Sequence, residues 1–308
     1  MGSLSTTRFL LIGLVAVALA SFLPLGVSSY ILGLLTIAYY FGVFAMAWDL
    51  LFGFAGEVNF GPTFLIGTGA YTAGILDNLY QPPISLCVIA GALAAVAGGV
   101  VLALPALRVR GPYFGLTTLV AVLMLQNFVV VDASLTGGEI GLTVPDVITI
   151  SDTNNYEIAL WFMAVSGAIL FALSRSPVGL ILQASGQDAV QAGALGFNVT
   201  KHKLTAFIIS AFFSGLAGAL LVFYLGSASV GTFIDITVGV QIIIAVVIGG
   251  RRTILGAVLG AIFIIAMSEA LRPVGDLANF IVFAMALVVV LFFPNGFFGF
   301  LTRSKETS

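Results

Sequence analysis

Residues 50–62 read LLFGFAGEVNFGP. Three glycines (Gly53, Gly56, Gly61), Pro62 and one carboxylate, Glu57, stand between two apolar runs, 31–52 and 62–76. Within hydrocarbon, backbone N–H and C=O groups have no water to turn to. A helix is therefore interrupted there only where the freed backbone is buried in protein or lines a wet cavity. The stretch is informative only if the runs beside it cross a membrane, and the composition of the whole chain decides that.

The 308 residues are 60% hydrophobic and 8% charged, with a mean hydropathy of +1.18. A soluble domain carries about 25% charged residues, so this chain has too few to cover a water-facing surface. Long apolar stretches recur from end to end, the mark of a polytopic helical membrane protein. One cysteine, Cys87, excludes an internal disulfide or a Cys-based metal cluster, and in its apolar run it reads as a small buried hydrophobe. One histidine, His202, excludes two-His zinc motifs. No metal site and no catalytic group is expected, and no loop is long enough to hold a globular domain.

A helix needs about 20 apolar residues to cross the hydrocarbon core. The apolar runs give ten candidate spans, some of them short enough to be re-entrant: 9–27, 31–52, 62–76, 84–104, 112–131, 158–173, 204–225, 234–250, 254–271 and 277–293. Arg8 and the stretch ending in ALAS have the form of a secretory leader, but the stretch is read here as the first span. With both termini in the cytoplasm, Arg8, Arg108, Arg110, Arg175, Lys201, Lys203, Arg251, Arg252, Arg303 and Lys305 fall inside. Only Arg272 falls outside, so ten of the eleven basic residues obey the positive-inside rule. The expectation is one membrane domain over 1–308, all-α, with about ten transmembrane or re-entrant helices. It has an acidic extracytoplasmic loop, 132–157, and a cytoplasmic loop, 174–203.

The cytoplasmic loop carries the clearest local signals. Ser176–Pro177 is a helix start, with serine as cap and proline in the first turn. Asp188 can begin a second short helix, and Gly196 can close it in a left-handed turn. Between them lies AVQAGALG, small and almost uncharged. A headgroup-lying helix would show bulky apolar residues on one face and many cations on the other. Alanine and glycine instead let a second protein approach the backbone closely.

On these residues the chain resembles the permease subunits of ABC importers. It is similar in particular to the branched-chain (hydrophobic) amino acid permease family, in its M-type member. Gln187, Asp188, Ala192, Ala194, Leu195, Gly196, Asn198 and Lys203 stand in the places of the family's ATPase-coupling helix, which usually has charged residues where Gly186, Gln187 and Gly193 stand here. The stretches 53–76 (GFAGEVNFGPTFLIGTGAYTAGIL), RGPYFGLTTL (110–119), LTGGEIGL (135–142), 203–220, VVIGGRRTILGAVLGA (246–261) and FFPNGFFG (292–299) each have a family counterpart in the same order. The resemblance implies alternating access, driven by two partner ATPase subunits that bind ATP and Mg. It also implies a second permease of the H-type, an extracytoplasmic solute-binding protein, and residence in the cytoplasmic membrane of a prokaryote. The implied solutes are leucine, isoleucine and valine, with urea or another small polar solute as the alternative on the same architecture. No cofactor is implied for this chain, and no Walker A string occurs in it.

Glu57 stands where the family commonly has Gln, Asn59 where it has Ser, Pro62 where it often has His or Gln, and Asp49 where it has Asn. An acid at membrane depth costs about 2.5–3.5 kcal/mol on insertion scales, which makes it a functional candidate. Two readings of the opening stretch therefore stand. Either Asp49, Glu57 and Asn59 line the translocation route near an inner gate, or the acids sit solvated at the cytoplasmic interface and close the second span. Thr136, Gly137 and Gly138 can form a tight turn that exposes amides in the outer loop, suited to meeting a delivered solute or its binding protein, or can serve as a plain turn. Gly215 and Gly218 read as close helix packing. A stand-alone channel or ion-coupled carrier would need mid-span carboxylates, with Asp49 and Glu269 the best available, and it leaves the Ala/Gly loop unexplained. An intramembrane hydrolase would have to use His202, which lies beside two lysines.

Overall fold

A computed structural model of the chain describes residues 13–107, 113–275, 277–292 and 296. The expectations for both termini, for Arg8, Arg108, Arg110, Arg303 and Lys305, and for most of FFPNGFFG lie outside the described residues.

In chain order the helices are α1 (Gly13–Leu25), α2 (Ser29–Asp49, continued by a π-helical turn, Leu50–Phe54), α3 (Pro62–Tyr80), α4 (Ile84–Ala106), α5 (Tyr113–Val131) and the single turn α6 (Ala133–Thr136). After them come α7 (Asp152–Arg175), α8 (Pro177–Gln187), α9 (Ala189–Ala194), α10 (Val199–Leu225), α11 (Val230–Phe233), α12 (Ile236–Gly249), α13 (Ile254–Leu271) and α14 (Leu277–Phe292). Among the described residues the fold is all-α apart from a two-residue antiparallel ladder, β1 (Leu142–Thr143) against β2 (Ser227–Ala228). Among the described residues seven helices are long and apolar enough to cross a membrane: 29–54, 84–106, 113–131, 152–175, 199–225, 230–249 and 254–274. The chain is a multi-pass membrane protein. Helices also form at the remaining expected spans, as α1, α3 and α14, but α3 is diluted by glycines and Asp77, and the described parts of the other two are short.

Several boundaries move outward. The expected outer loop ends at 151 rather than 157, because Ser151 caps α7 by accepting from Asn154 N. The expected cytoplasmic loop ends at 198, where Asn198 accepts from Lys201 N and starts α10. In both cases a polar first turn hid the helix from an apolar window.

Two helices, α2 and α10, form the centre: α10 packs on α3, α4 and α2, and α2 packs on α13, α7 and α12. Lipid gives no hydrophobic drive for helices to associate, so close approach of small residues must supply the packing. On α4, Gly91, Ala95 and Gly99 recur every fourth residue. On α10, Ala219, Gly215 and Ala211 do the same in the opposite direction. A Cβ built on Gly91 would lie 3.0 Å from that of Ala219, one on Gly215 2.2 Å from that of Ala95, and one on Gly99 2.9 Å from that of Ala211. Each rung pairs one glycine with one alanine. Gly69 of α3 closes on the same place, its Cβ position 2.4 Å from the Gly215 carbonyl oxygen. The reading of Gly215 as a packing residue is what the structure contains. Gly218 lies equally close, to Ile66 O of α3.

Candidate functional site

The interruption after α2 is built from its own residues. Ala55 N donates to Leu50 O, the wide i→i−5 spacing of a π turn, and Glu57 N donates to Leu51 O. Such turns recur at functional sites. Gly56 then takes φ +73°, a left-handed conformation that L side chains rarely adopt. Residues 58–61 run along α5: Phe60 N donates to Thr118 Oγ1 at 3.0 Å, and a Cβ on Gly61 would lie 2.2 Å from Thr118 O. Thr118 is the sixth residue of α5, about 8 Å along that helix at 1.5 Å per residue, so the segment dips into the bundle before Pro62 starts α3. Asn59 is buried there. Its side-chain oxygen accepts from Gly61 N at 2.8 Å, and its main-chain oxygen accepts from Trp48 Nε1 at 2.6 Å.

Neither acid is a free, solvated group. Asp49 is fully buried (0% exposed), which goes against the second of the two readings, a solvated Asp49 at the interface. Its Oδ1 accepts from the Arg252 backbone N at 3.1 Å, while its Oδ2 has no hydrogen-bond partner among the described residues. Arg252, at φ +64°, turns back and donates from Nε to Gly53 O at 2.7 Å. Arg251 lies over the Phe52 ring, its Cζ 4.6 Å from the centroid. The α12–α13 turn is thereby fastened to the end of α2. Glu57 accepts from Lys203 Nζ at 2.5 Å, and both side chains are mostly buried. Neither pairing is legible in the sequence, because the partners are 203 and 146 residues apart.

The loop beside the break is a hook. Ser176 caps α8 with Pro177 in its first turn. Asp188 caps α9, its Oδ1 accepting from Val190 N and Gln191 N, each at 2.9 Å. Gly196 follows at φ +89°. Ala192 is buried, whereas Gln187, Ala194, Leu195, Gly196 and Asn198 are exposed and Asp188 is partly exposed. Val190 and Leu195 are 79% and 75% exposed, leaving two apolar side chains uncovered on a small-residue turn. The break, the hook and the Arg251–Arg252 turn share one end of the bundle, here the basic end.

Thr136, Gly137 and Gly138 lie at the other end. Thr136 is buried, with Oγ1 2.5 Å from Val129 O and 2.8 Å from Asp132 O, and it accepts from Gly138 N at 3.2 Å. Gly137 N donates to Ala133 O, so both glycine amides are bonded within the turn, which corrects the expectation that the turn exposes them. The segment leads into β1. Asp77, missed in the sequence because it closes an apolar helix, fixes the chain just after β1 by accepting from Asp146 N at 3.1 Å. Thr136→Val is expected to cost about 1–2 kcal/mol by leaving the Gly138 amide unpaired. A lowered thermal midpoint with unchanged KM for uptake would check that.

The family of permease components of the branched-chain amino acid transport system matches residues 30–292. The chain belongs to that family. The permease is 25% identical to the high-affinity branched-chain amino acid transport permease protein LivM of Escherichia coli K12, over 96% of this chain and 76% of that one. It is 26% identical to the high-affinity branched-chain amino acid transport system permease protein LivH of E. coli K12, over 58% of this chain and 60% of that one. A ribose import permease, RbsC of Haemophilus influenzae, is 27% identical over 44% of this chain and 43% of its own. No solved structure matches.

Proposed function

We propose that the permease is the M-type membrane subunit of an ATP-driven importer of branched-chain or hydrophobic amino acids in a prokaryotic cytoplasmic membrane. An H-type permease stands beside it, two ATPase subunits hold ATP and Mg, and an extracytoplasmic protein delivers the solute. The observation that carries the reading is the family match along nearly the whole chain, 30–292, to which the exposed hook adds a docking surface.

In this reading the ATPases close on ATP and push on Gln187–Asn198, the bundle rocks, and the cavity changes the side on which it opens. The chain crosses the membrane ten times, α1, α3 and α14 included, with both termini in the cytoplasm. That orientation is supported by Arg175, Lys201, Lys203, Arg251 and Arg252 lying together at the basic end. Asp49, Glu57 and Asn59 sit near an inner gate, but as groups that hold the break in shape rather than as bare ligands. A stand-alone carrier is disfavoured because its best carboxylates are engaged, Asp49 with Arg252 N and Glu269 with Tyr30 and Arg272. The ribose relative favours leaving the choice of solute to the delivering protein, so urea and other small polar solutes are the competitors to try.

The test is leucine accumulation in vesicles holding the whole complex, with and without the ATPase subunits. Accumulation that needs the ATPases and is blocked by isoleucine and valine supports the reading. Accumulation without them, or competition by urea alone, overturns it.

A further inference from the structure

The hook rests on the helix break at both of its ends, on two consecutive residues. Entering the hook, Gly186 at the end of α8 lies against Gly56, backbone to backbone. A Cβ on Gly56 would be 2.8 Å from Gly186 Cα, and one on Gly186 would be 2.6 Å from Phe54 O. Leaving the hook, Lys203 on the second turn of α10 reaches Glu57 at 2.5 Å, with side chains 15% and 19% exposed. Beyond Glu57 the break is bonded into the bundle, through Asn59 to Trp48 and through Phe60 to Thr118, and it continues into α3. On its other side it is tied to the α12–α13 turn through Asp49, Gly53 and Arg252.

We propose that the hook and the break move as one body, with Gly56–Gly186 as the bearing and the Glu57–Lys203 ion pair as the fastening. Displacement of the hook is thereby delivered to Asn59–Pro62 and the start of α3. The inference rests on the hook being the ATPase dock and adds the residues that receive its motion. Two contacts are needed because each fails differently. The glycine contact resists compression but not separation, and the ion pair resists separation. Mostly buried and therefore little screened by salt, that pair is suited to hold through a cycle. Glu57 and Lys203 are positioning residues and need not touch solute.

The experiment uses the complete complex, with uptake and ATP hydrolysis both measured per assembled complex. Glu57→Gln keeps the side-chain shape and removes the charge. It is expected to lower the ratio of solute moved to ATP hydrolysed about tenfold, within the range of coupling interactions. Lys203→Met should do the same, and the double variant should be no worse than either, as for two members of one pair. The positive arm places Glu57→Cys with Lys203→Cys in a Cys87→Ala background and joins the thiols with a short bifunctional maleimide. Cross-linking should restore the ratio. An unchanged ratio in Glu57→Gln, equal loss of uptake and hydrolysis, or a cross-linked pair that hydrolyses without transporting each overturns the inference. Failure of the unmodified complex to import amino acids would overturn the functional reading instead.

Discussion

Gly215→Ala will sharply lower the yield of folded permease, and adding Ala95→Gly will restore it. The new methyl would lie 2.2 Å from the Ala95 Cβ, whereas the next neighbours, Ala92 Cα and Gly91 O, stand at an ordinary 3.4 Å. One clash therefore dominates, and moving the methyl from one helix to the other leaves the rung with one glycine and one alanine. Overpacking costs about 1–3 kcal/mol even where the surroundings adjust. Here adjustment is hindered because Gly69 presses on the Gly215 carbonyl from α3, and Gly91 in turn on the carbonyl of Gly69. Gly215→Leu should leave no monodisperse protein in either background, since its branch cannot fit the space of one methyl. Detergent-extracted yield by size exclusion and the thermal midpoint read all four variants. A double variant as poor as Gly215→Ala alone would mean that the rung does not set the α4–α10 spacing.

That stripe shows what could be read in the sequence. Small residues every fourth position on a helix share a face, so Gly215 declared that something packs closely, but not that Ala95 does. Helices that are apolar all round carry no amphipathic signal to say which side faces protein. Cap chemistry is different because donor and acceptor are neighbours: Ser176–Pro177, Asp188 and Gly196 each do in the structure what their local sequence says. Polar pairs across the bundle lack that locality. Glu57 and Lys203 were both visible as candidates, one for the path and one for the hook, with nothing to join them. The break itself was legible as a break, from three glycines and Pro62. Its register against Thr118 and Gly186 was not, because close backbone approach leaves only glycine as its trace.

Asp49→Asn will fold and transport like the parent, whereas Asp49→Leu will reach the membrane in normal amount and fail there. Insertion alone favours leucine, by about 3 kcal/mol on translocon scales, so a loss confined to the inserted protein must come from packing. Asp49 acts on the backbone of Arg252, accepting its N–H at 3.1 Å, and an amide oxygen can accept equally well. Asparagine also places a neutral group where Oδ2 has no partner among the described residues, and an unpaired neutral polar group costs less to bury than a charged one. Leucine offers no acceptor. The unpaired N–H costs about 1–3 kcal/mol, and it falls on a residue already held at φ +64°. Once the α12–α13 turn is released from the end of α2, Arg252 Nε loses its place on Gly53 O, and the break loses the anchor opposite the hook. Membrane abundance, thermal midpoint and uptake per complex separate these steps. If Asn fails together with Leu, the carboxylate charge toward Arg251 and Arg252 is what holds the turn, and hydrogen-bond acceptance is not enough.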